Sequence, residues 1–313
     1  MKSDGPALPD RVLVIAGPTA SGKTELAAEL ARRFDAEIVS ADSRQVYRHM
    51  DVGTAKPCAE LLAEIRHHMI EVVDPDEPFD TATWCEGARA ALADLHARGR
   101  NAIVCGGTGL YVRSLVQGLF VGPAADAGLR ARYEAEDRVE PGVLMRRLAR
   151  VDPPAAARIH PNDRVRIVRA LEVHELTGRP ISSWHDEHRL AQRPFREVSV
   201  MLDLARDELY RRIDARTESM VHGGLVDELR RLRNRGYAAD LRAFDAIGYR
   251  EAGLCLDGRL AAEDLVSAIA RSTRRYAKRQ LVWLRGQARC RPVAPHDIER
   301  EARVAAELFE GRS

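Results

Sequence analysis

The chain has 313 residues, 49 Lys plus Arg against 47 Asp plus Glu, and a formal net charge of +2; that length can bury the core of one large α/β domain with an insertion. A composition 45% hydrophobic and 31% charged excludes a disordered chain, no apolar run nears the roughly 20 residues of a membrane span, and the opening MKSDGPALPD lacks the apolar segment of a secretory signal. The five cysteines, at 58, 85, 105, 255 and 290, form no CxxC pair, which argues against a zinc site or disulfide framework and for a reducing cytoplasm.

In chain order, short β-branched or apolar runs at 11–16 (RVLVIA), 37–40, 69–73, 102–105, 198–204 and 289–293 predict strands. Between them, helical periodicity occupies 23–34, 81–98, 108–117, 206–235 and 260–286. This alternation predicts an α/β fold, a mostly parallel sheet covered by helices on both faces. Residues 121–195 break the rhythm: they hold no convincing strand but carry helical patterns at 143–150 and 165–176. They read as a helical insertion domain, with 1–120 and 196–313 as the core.

The first strand and helix flank Gly17-Pro18-Thr19-Ala20-Ser21-Gly22-Lys23-Thr24, which fits G-x-x-x-x-G-K-[ST] in its strand-turn-helix context. Such a loop turns backbone amides around an anion at the positive end of a helix. Lys23 adds a point charge, and the Thr24 hydroxyl is a ligand for Mg²⁺. A diphosphate or triphosphate, as in a bound nucleotide such as ATP, is the expected ligand. A small-molecule or nucleotide kinase stays open as a reading. A GTPase does not, because the four lysines leave no base-recognition motif.

Loops at the carboxyl ends of parallel strands face the ligand crevice. Asp42, in Asp42-Ser43-Arg44-Gln45-Val46-Tyr47, therefore falls beside bound polyanion, where a carboxylate suits metal binding or proton acceptance; a plain Asx turn is the competing reading. Gly53-Thr54-Ala55-Lys56-Pro57 follows in the same connection, Gly106-Gly107-Thr108-Gly109 comes directly after the fourth strand, and together with the first two segments they form a constellation around one crevice.

The 260–286 helix carries Leu265, Ile269, Tyr276 and Trp283 as an apolar stripe, with Arg271, Arg274, Lys278 and Arg285 on another face. Residues 271–291 hold eight basic side chains and no acid. A solvated face normally mixes signs, so this one points to the phosphate backbone of RNA or DNA. Lysine is scarce: Lys2, Lys23, Lys56 and Lys278 are the only four among 49 basic residues, and the last three fall in these segments.

GPTASGKT at 17–24, DSRQVY at 42–47, MDVGTAKP at 50–57, GGTGLY at 106–111, HPNDRVRIVRALEV at 160–173, FDAIGYRE at 244–251 and RRYAKRQLVWLR at 274–285 together resemble the tRNA dimethylallyltransferase family. Glu71, where Asp is more usual, with Phe79-Asp80 and Cys85, departs from the family pattern outside the phosphate loop and DSRQ. The resemblance implies a P-loop NTPase-like core with a helical insertion closing over the anticodon arm of tRNA. It implies transfer of a dimethylallyl group from dimethylallyl diphosphate to N6 of the adenosine 3′ of the anticodon.

By that resemblance, Asp42 is the general base for the N6 proton, Thr108 places the leaving group, and Lys23 with the phosphate loop and Mg²⁺ on Thr24 stabilises the departing diphosphate. Arg271 is the expected second clamp on it, by position. Expected tRNA contacts, again by resemblance, are Asp42, Ser43, Arg44 and Gln45; Val165, Arg166, Ile167, Val168 and Arg169; and Thr273, Arg274, Arg275, Tyr276, Ala277, Lys278, Arg279 and Gln280. A cytoplasmic monomer is expected. The insertion and the basic segment favour a macromolecular acceptor over free adenylate.

Overall fold

In the computed structural model the described residues are 7–118, 122–184, 195–287, 290–294 and 298–310. Six strands form one parallel sheet: β1 (Arg11–Ala16), β2 (Ala36–Ser40), β3 (His67–His68), β4 (Asn101–Gly106), β5 (Arg196–Leu202) and β6 (Cys290–Val293), in the spatial order β3-β2-β4-β1-β5-β6. The central run RVLVIA has no polar alternation because both faces are covered. Val12 and Val14 join one core cluster, and Leu13 and Ile15 the other.

The strand expected at 69–73 is not formed. Pairing to β2 stops after His67 and His68, because Met69 and Glu71 take left-handed backbone at φ 64° and 56°. The segment becomes a loop whose Glu71 and Val72 amides donate to the Gln45 and Val46 carbonyls. An apolar run alone does not reveal such a break.

Helices α1 (Lys23–Phe34), α2 (Ala59–Glu64), α3 (Thr81–Ala97) and α4 (Gly109–Gln117) each follow one of the first four strands. Asp80 caps α3 by accepting the Thr83 amide at 2.9 Å. The Trp84 indole, stacked on Tyr111 at 4.5 Å, donates at 3.0 Å to the Ser40 carbonyl at the end of β2.

Two compact units are present: Met1–Val116 with Pro194–Ser313, and Gln117–Arg193. The second holds α5 (Ala127–Val139), α6 (Val143–Val151), α7 (Pro153–Arg158) and α8 (Arg164–Thr177), packed around Tyr133, Leu144, Leu148, Ile167 and Leu171. Glu172 is fully buried among them and accepts from Arg130, Arg169 and the Asp126 amide. Burial opposes its ionisation, yet the two guanidiniums win and hold its carboxyl down at about 2.

The first unit continues after β5 with α9 (Arg206–His222), α10 (Leu225–Asn234), α11 (Tyr249–Leu256) and α12 (Leu265–Arg285), and after β6 with α13 (Ile298–Glu310). The single helix expected over 206–235 divides at Gly223-Gly224. The 260–286 helix is shorter, a 3₁₀ turn at Ala262–Asp264 leading into α12. Among the described residues no helix is long and apolar enough to cross a membrane, and the five cysteines are free.

Candidate active site

The phosphate loop joins β1 to α1. Gly22, at φ 92°, caps α1 without a side chain, so the first helical amides stay open at the positive helix end. Lys23 folds back, its Nζ donating to the Pro18 carbonyl at 2.7 Å. Burial lowers its pKa, and an incoming diphosphate offers the charge that burial denies it. Ser21 Oγ is buried with no hydrogen-bond partner among the described residues. Such an orphaned hydroxyl facing a glycine-rich turn fits a loop built for an anion.

A crevice of about 350 Å³ opens from this loop, lined by Lys23, Thr24, Asp42, Arg216, Thr273 and Tyr276 among others. Asp42 sits in the turn after β2. Its Oδ1 accepts the amides of Arg44 and Gln45 at 2.8 and 3.3 Å, so the Asx-turn reading of this residue is correct. Among the described residues Oδ2 has no hydrogen-bond partner, so the same carboxylate holds the turn with one oxygen and faces the crevice with the other.

The neighbouring loops are tied to this turn. Thr108 Oγ1 accepts the Ser43 amide at 3.0 Å, and its own amide donates to the Ala41 carbonyl at 3.1 Å. The Gln45 side chain accepts from Ser40 Oγ at 3.2 Å and donates to the Ala55 carbonyl at 3.2 Å. The Arg44 guanidinium donates to the Arg242 carbonyl at 3.3 Å.

Lys56 turns away from the crevice. Its ammonium, 5% exposed, donates to the Tyr47 carbonyl at 2.8 Å, to Asp51 Oδ1 at 2.6 Å and to Glu71 Oε1 at 2.9 Å. Three donors meet three acceptors at one point, a geometry an ammonium matches and a planar guanidinium does not. Its role is to staple the 42–57 segment to the 69–73 loop, which accounts for a lysine here in an arginine-rich chain.

Helix α12 presents two faces, and the contiguous contact stretch expected at 273–280 divides between them. Ile269, Thr273, Tyr276 and Gln280 line the crevice, as their spacing of 4, 3 and 4 dictates. Burial first, then the Asp42 charge, pushes the Tyr276 phenol up to about 12, so it stays a neutral donor. Burial likewise pushes the Cys105 thiol up to about 12. Ala277 is fully buried and Gln280 is 8% exposed, so neither faces an RNA outside the crevice.

The opposite face holds Arg271, Arg275 and Lys278, exposed and without an ion-pair partner among the described residues. Arg274 pairs with Asp214, and Arg285 with Asp203 at 2.9 Å. Part of the basic excess of 271–291 is therefore spent inside the protein. Arg271, expected to clamp the diphosphate, is exposed and absent from the crevice wall. Arg216 on α9 stands there instead, half-buried and within the electrostatic reach of Asp42 and Lys23. It had no local signal in a chain that writes arginine throughout.

Within the helical unit, Ile167 and Val168 are core residues and do not offer an RNA surface. Arg169 binds Glu172 at 2.6 Å and the Pro123 carbonyl at 2.9 Å. Val165 is 81% exposed, and Arg166 is turned outward, with Asp163 at 3.2 Å as its ion-pair partner among the described residues.

Open amides at a helix start, a buried lysine, an arginine and one half-engaged carboxylate surround a crevice at the carboxyl ends of a parallel sheet, the arrangement of P-loop α/β enzymes. A family model described as IPP transferase matches residues 45–287, and one described as Isopentenyl transferase matches 10–74. The chain belongs to the IPP transferase family, the tRNA dimethylallyltransferases, and that membership disfavours the kinase reading.

A tRNA dimethylallyltransferase of Geobacter sulfurreducens is 45% identical over 301 residues, 96% of this chain and 97% of the relative. The crystal structure of the tRNA isopentenylpyrophosphate transferase of Bacillus halodurans is similar at TM-score 0.72 and 38% identity, over 97% of this chain and 98% of that one. A eukaryotic dimethylallyltransferase acting on tRNA is similar at TM-score 0.82 and 25% identity, over 97% of this chain and 81% of that one.

Proposed function

We propose that this chain transfers a dimethylallyl group from dimethylallyl diphosphate to N6 of the adenosine 3′-adjacent to the anticodon in tRNA, releasing diphosphate. The observation that carries the reading is that Asp42, with one oxygen free of the turn, lines the same crevice as Lys23, Thr24 and Arg216. An exocyclic adenine amine is a weak nucleophile, since its lone pair is delocalised into the ring. Its N6 forms a bond to the allylic carbon as the carbon–oxygen bond to diphosphate breaks, and its proton passes to the Asp42 carboxylate.

The loop amides, Lys23 and Arg216 meet the charge that builds on the leaving group. Thr108, whose Oγ1 accepts the Ser43 amide, holds the acidic turn in place. Thr24, whose hydroxyl stands at the helix start on the crevice wall beside Lys23, would hold Mg²⁺, which would add positive charge next to the leaving group.

The acceptor adenosine must leave its stack to enter the crevice. The outward residues Arg271, Arg275 and Lys278 of α12, and Val165 and Arg166 of the helical unit, are the proposed tRNA surfaces, with Ser43 and Arg44 nearer the reacting base. A cytoplasmic monomer accompanies this reading.

The test is incubation with labelled dimethylallyl diphosphate, Mg²⁺ and unmodified tRNA. Label in the anticodon arm is the expected result. Label passing to free adenylate and not to tRNA would overturn the acceptor assignment.

A further inference from the structure

Gln280 is the one buried polar side chain on the crevice face of α12 among the described residues. Its carboxamide makes two hydrogen bonds to two different loops. Oε1 accepts the Thr19 amide at 2.9 Å, at the apex of the phosphate loop. Nε2 donates to the Gly107 carbonyl at 2.9 Å, in the turn after β4. The fit is close enough that a Cβ at residue 107 would meet Gln280 Nε2 at 2.4 Å.

From this geometry we infer that Gln280 is a positioning residue for the diphosphate, acting through the phosphate loop, and not an RNA contact. The inference rests on the proposed reaction for its substrate, but its physics concerns only anion binding. The Thr19 amide is committed to Gln280, so the cradle is left to the amides that follow it. Ala20, next in the loop, is held at φ 62°, a backbone that relaxes readily unless its neighbours are fixed.

The side chain must accept at one end and donate at the other. Glutamate offers no donor to the Gly107 carbonyl and adds negative charge beside the anion; asparagine is one methylene short; methionine fills the space and bonds neither loop. Because Thr273 and Tyr276 share this face, the helix that presents basic residues outward also fixes the apex of the phosphate loop inward.

The experiment compares Gln280→Glu and Gln280→Met with the unaltered protein in three measurements. These are calorimetric binding of inorganic diphosphate with Mg²⁺, the KM and kcat for dimethylallyl diphosphate, and the affinity for unmodified tRNA. Two neutral hydrogen bonds set the scale: Gln280→Met weakens diphosphate binding about tenfold and raises the donor KM to match. Gln280→Glu weakens it further, while tRNA affinity stays within about twofold in both.

Thermal melting confirms that Gln280→Met, which conserves volume, is folded. Weakened tRNA binding with unchanged diphosphate affinity would overturn the inference and return Gln280 to the RNA surface, as would unchanged diphosphate affinity in both variants. If the acceptor assignment is wrong, the diphosphate measurement still reads the inference by itself.

Discussion

The Glu228 carboxylate on α10 accepts the Tyr249 hydroxyl from α11, and both groups are buried. The same carboxylate accepts the amides of Asp51 and Val52 at 3.0 Å each and of Gly53 at 3.4 Å. The segment bearing the crevice wall is thus hung from one acid 175 residues away from Gly53 in sequence. Glu228→Ala leaves three amides and a phenol without an acceptor, at a cost of about 3–5 kcal/mol. Tyr249→Phe removes one bond only, and costs about 1–2 kcal/mol. Denaturant unfolding of the two variants checks the order, and equal losses would count against the anchor.

Asp42→Asn keeps Oδ1 as an acceptor for the Arg44 and Gln45 amides, so the turn persists. What it loses is the proton acceptor. Single-turnover transfer should fall about 100- to 10,000-fold, with tRNA affinity retained. Near-normal transfer in this variant would sink the base assignment.

Arg275 and Lys278 are exposed on the outer face of α12 with no ion-pair partner among the described residues. Replacing both by Glu should weaken tRNA binding and reduce the slope of log affinity against log salt by about 1.5–2. Arg274→Glu reports less cleanly, since it also breaks the Asp214 pair. A slope unmoved by the double variant would remove this face from the RNA surface.

Glu172 ties the helical unit to pH. Its folded carboxyl lies at about 2 against an ordinary 4.5, so its contribution is complete above 4.5 and disappears as pH falls towards 2. The shift corresponds to about 3 kcal/mol at neutral pH. Glu172→Gln should lower stability at pH 7 and flatten the acid limb of the profile between those values. An unchanged acid limb, followed by circular dichroism, would assign the acid sensitivity elsewhere.

Much of this site is local in the chain. The phosphate loop is legible because its function needs glycines, a lysine and a hydroxyl at fixed spacing in eight consecutive residues, and β1 and α1 fall where RVLVIA and the helix after it place them. The inward face of α12 was also within reach. Ile269, Thr273, Tyr276 and Gln280 lie on one side of any α-helix, and that periodicity alone divides 273–280 between two faces.

Other features have no local trace. Arg216 reaches the crevice because α9 packs beside α12, and nothing in its neighbours distinguishes it from the many surface arginines. Ile167 and Val168 lie in a basic, RNA-like stretch yet are turned into the helical core, a matter of which face α8 buries. The sequence by itself determined the family, the phosphate loop and the parallel α/β order, since these rest on short-range spacing and alternation. Only the tertiary structure decided which cations are free and which are spent on Asp214, Glu172 or Glu71, because ion pairs are chosen by packing between segments far apart in the chain.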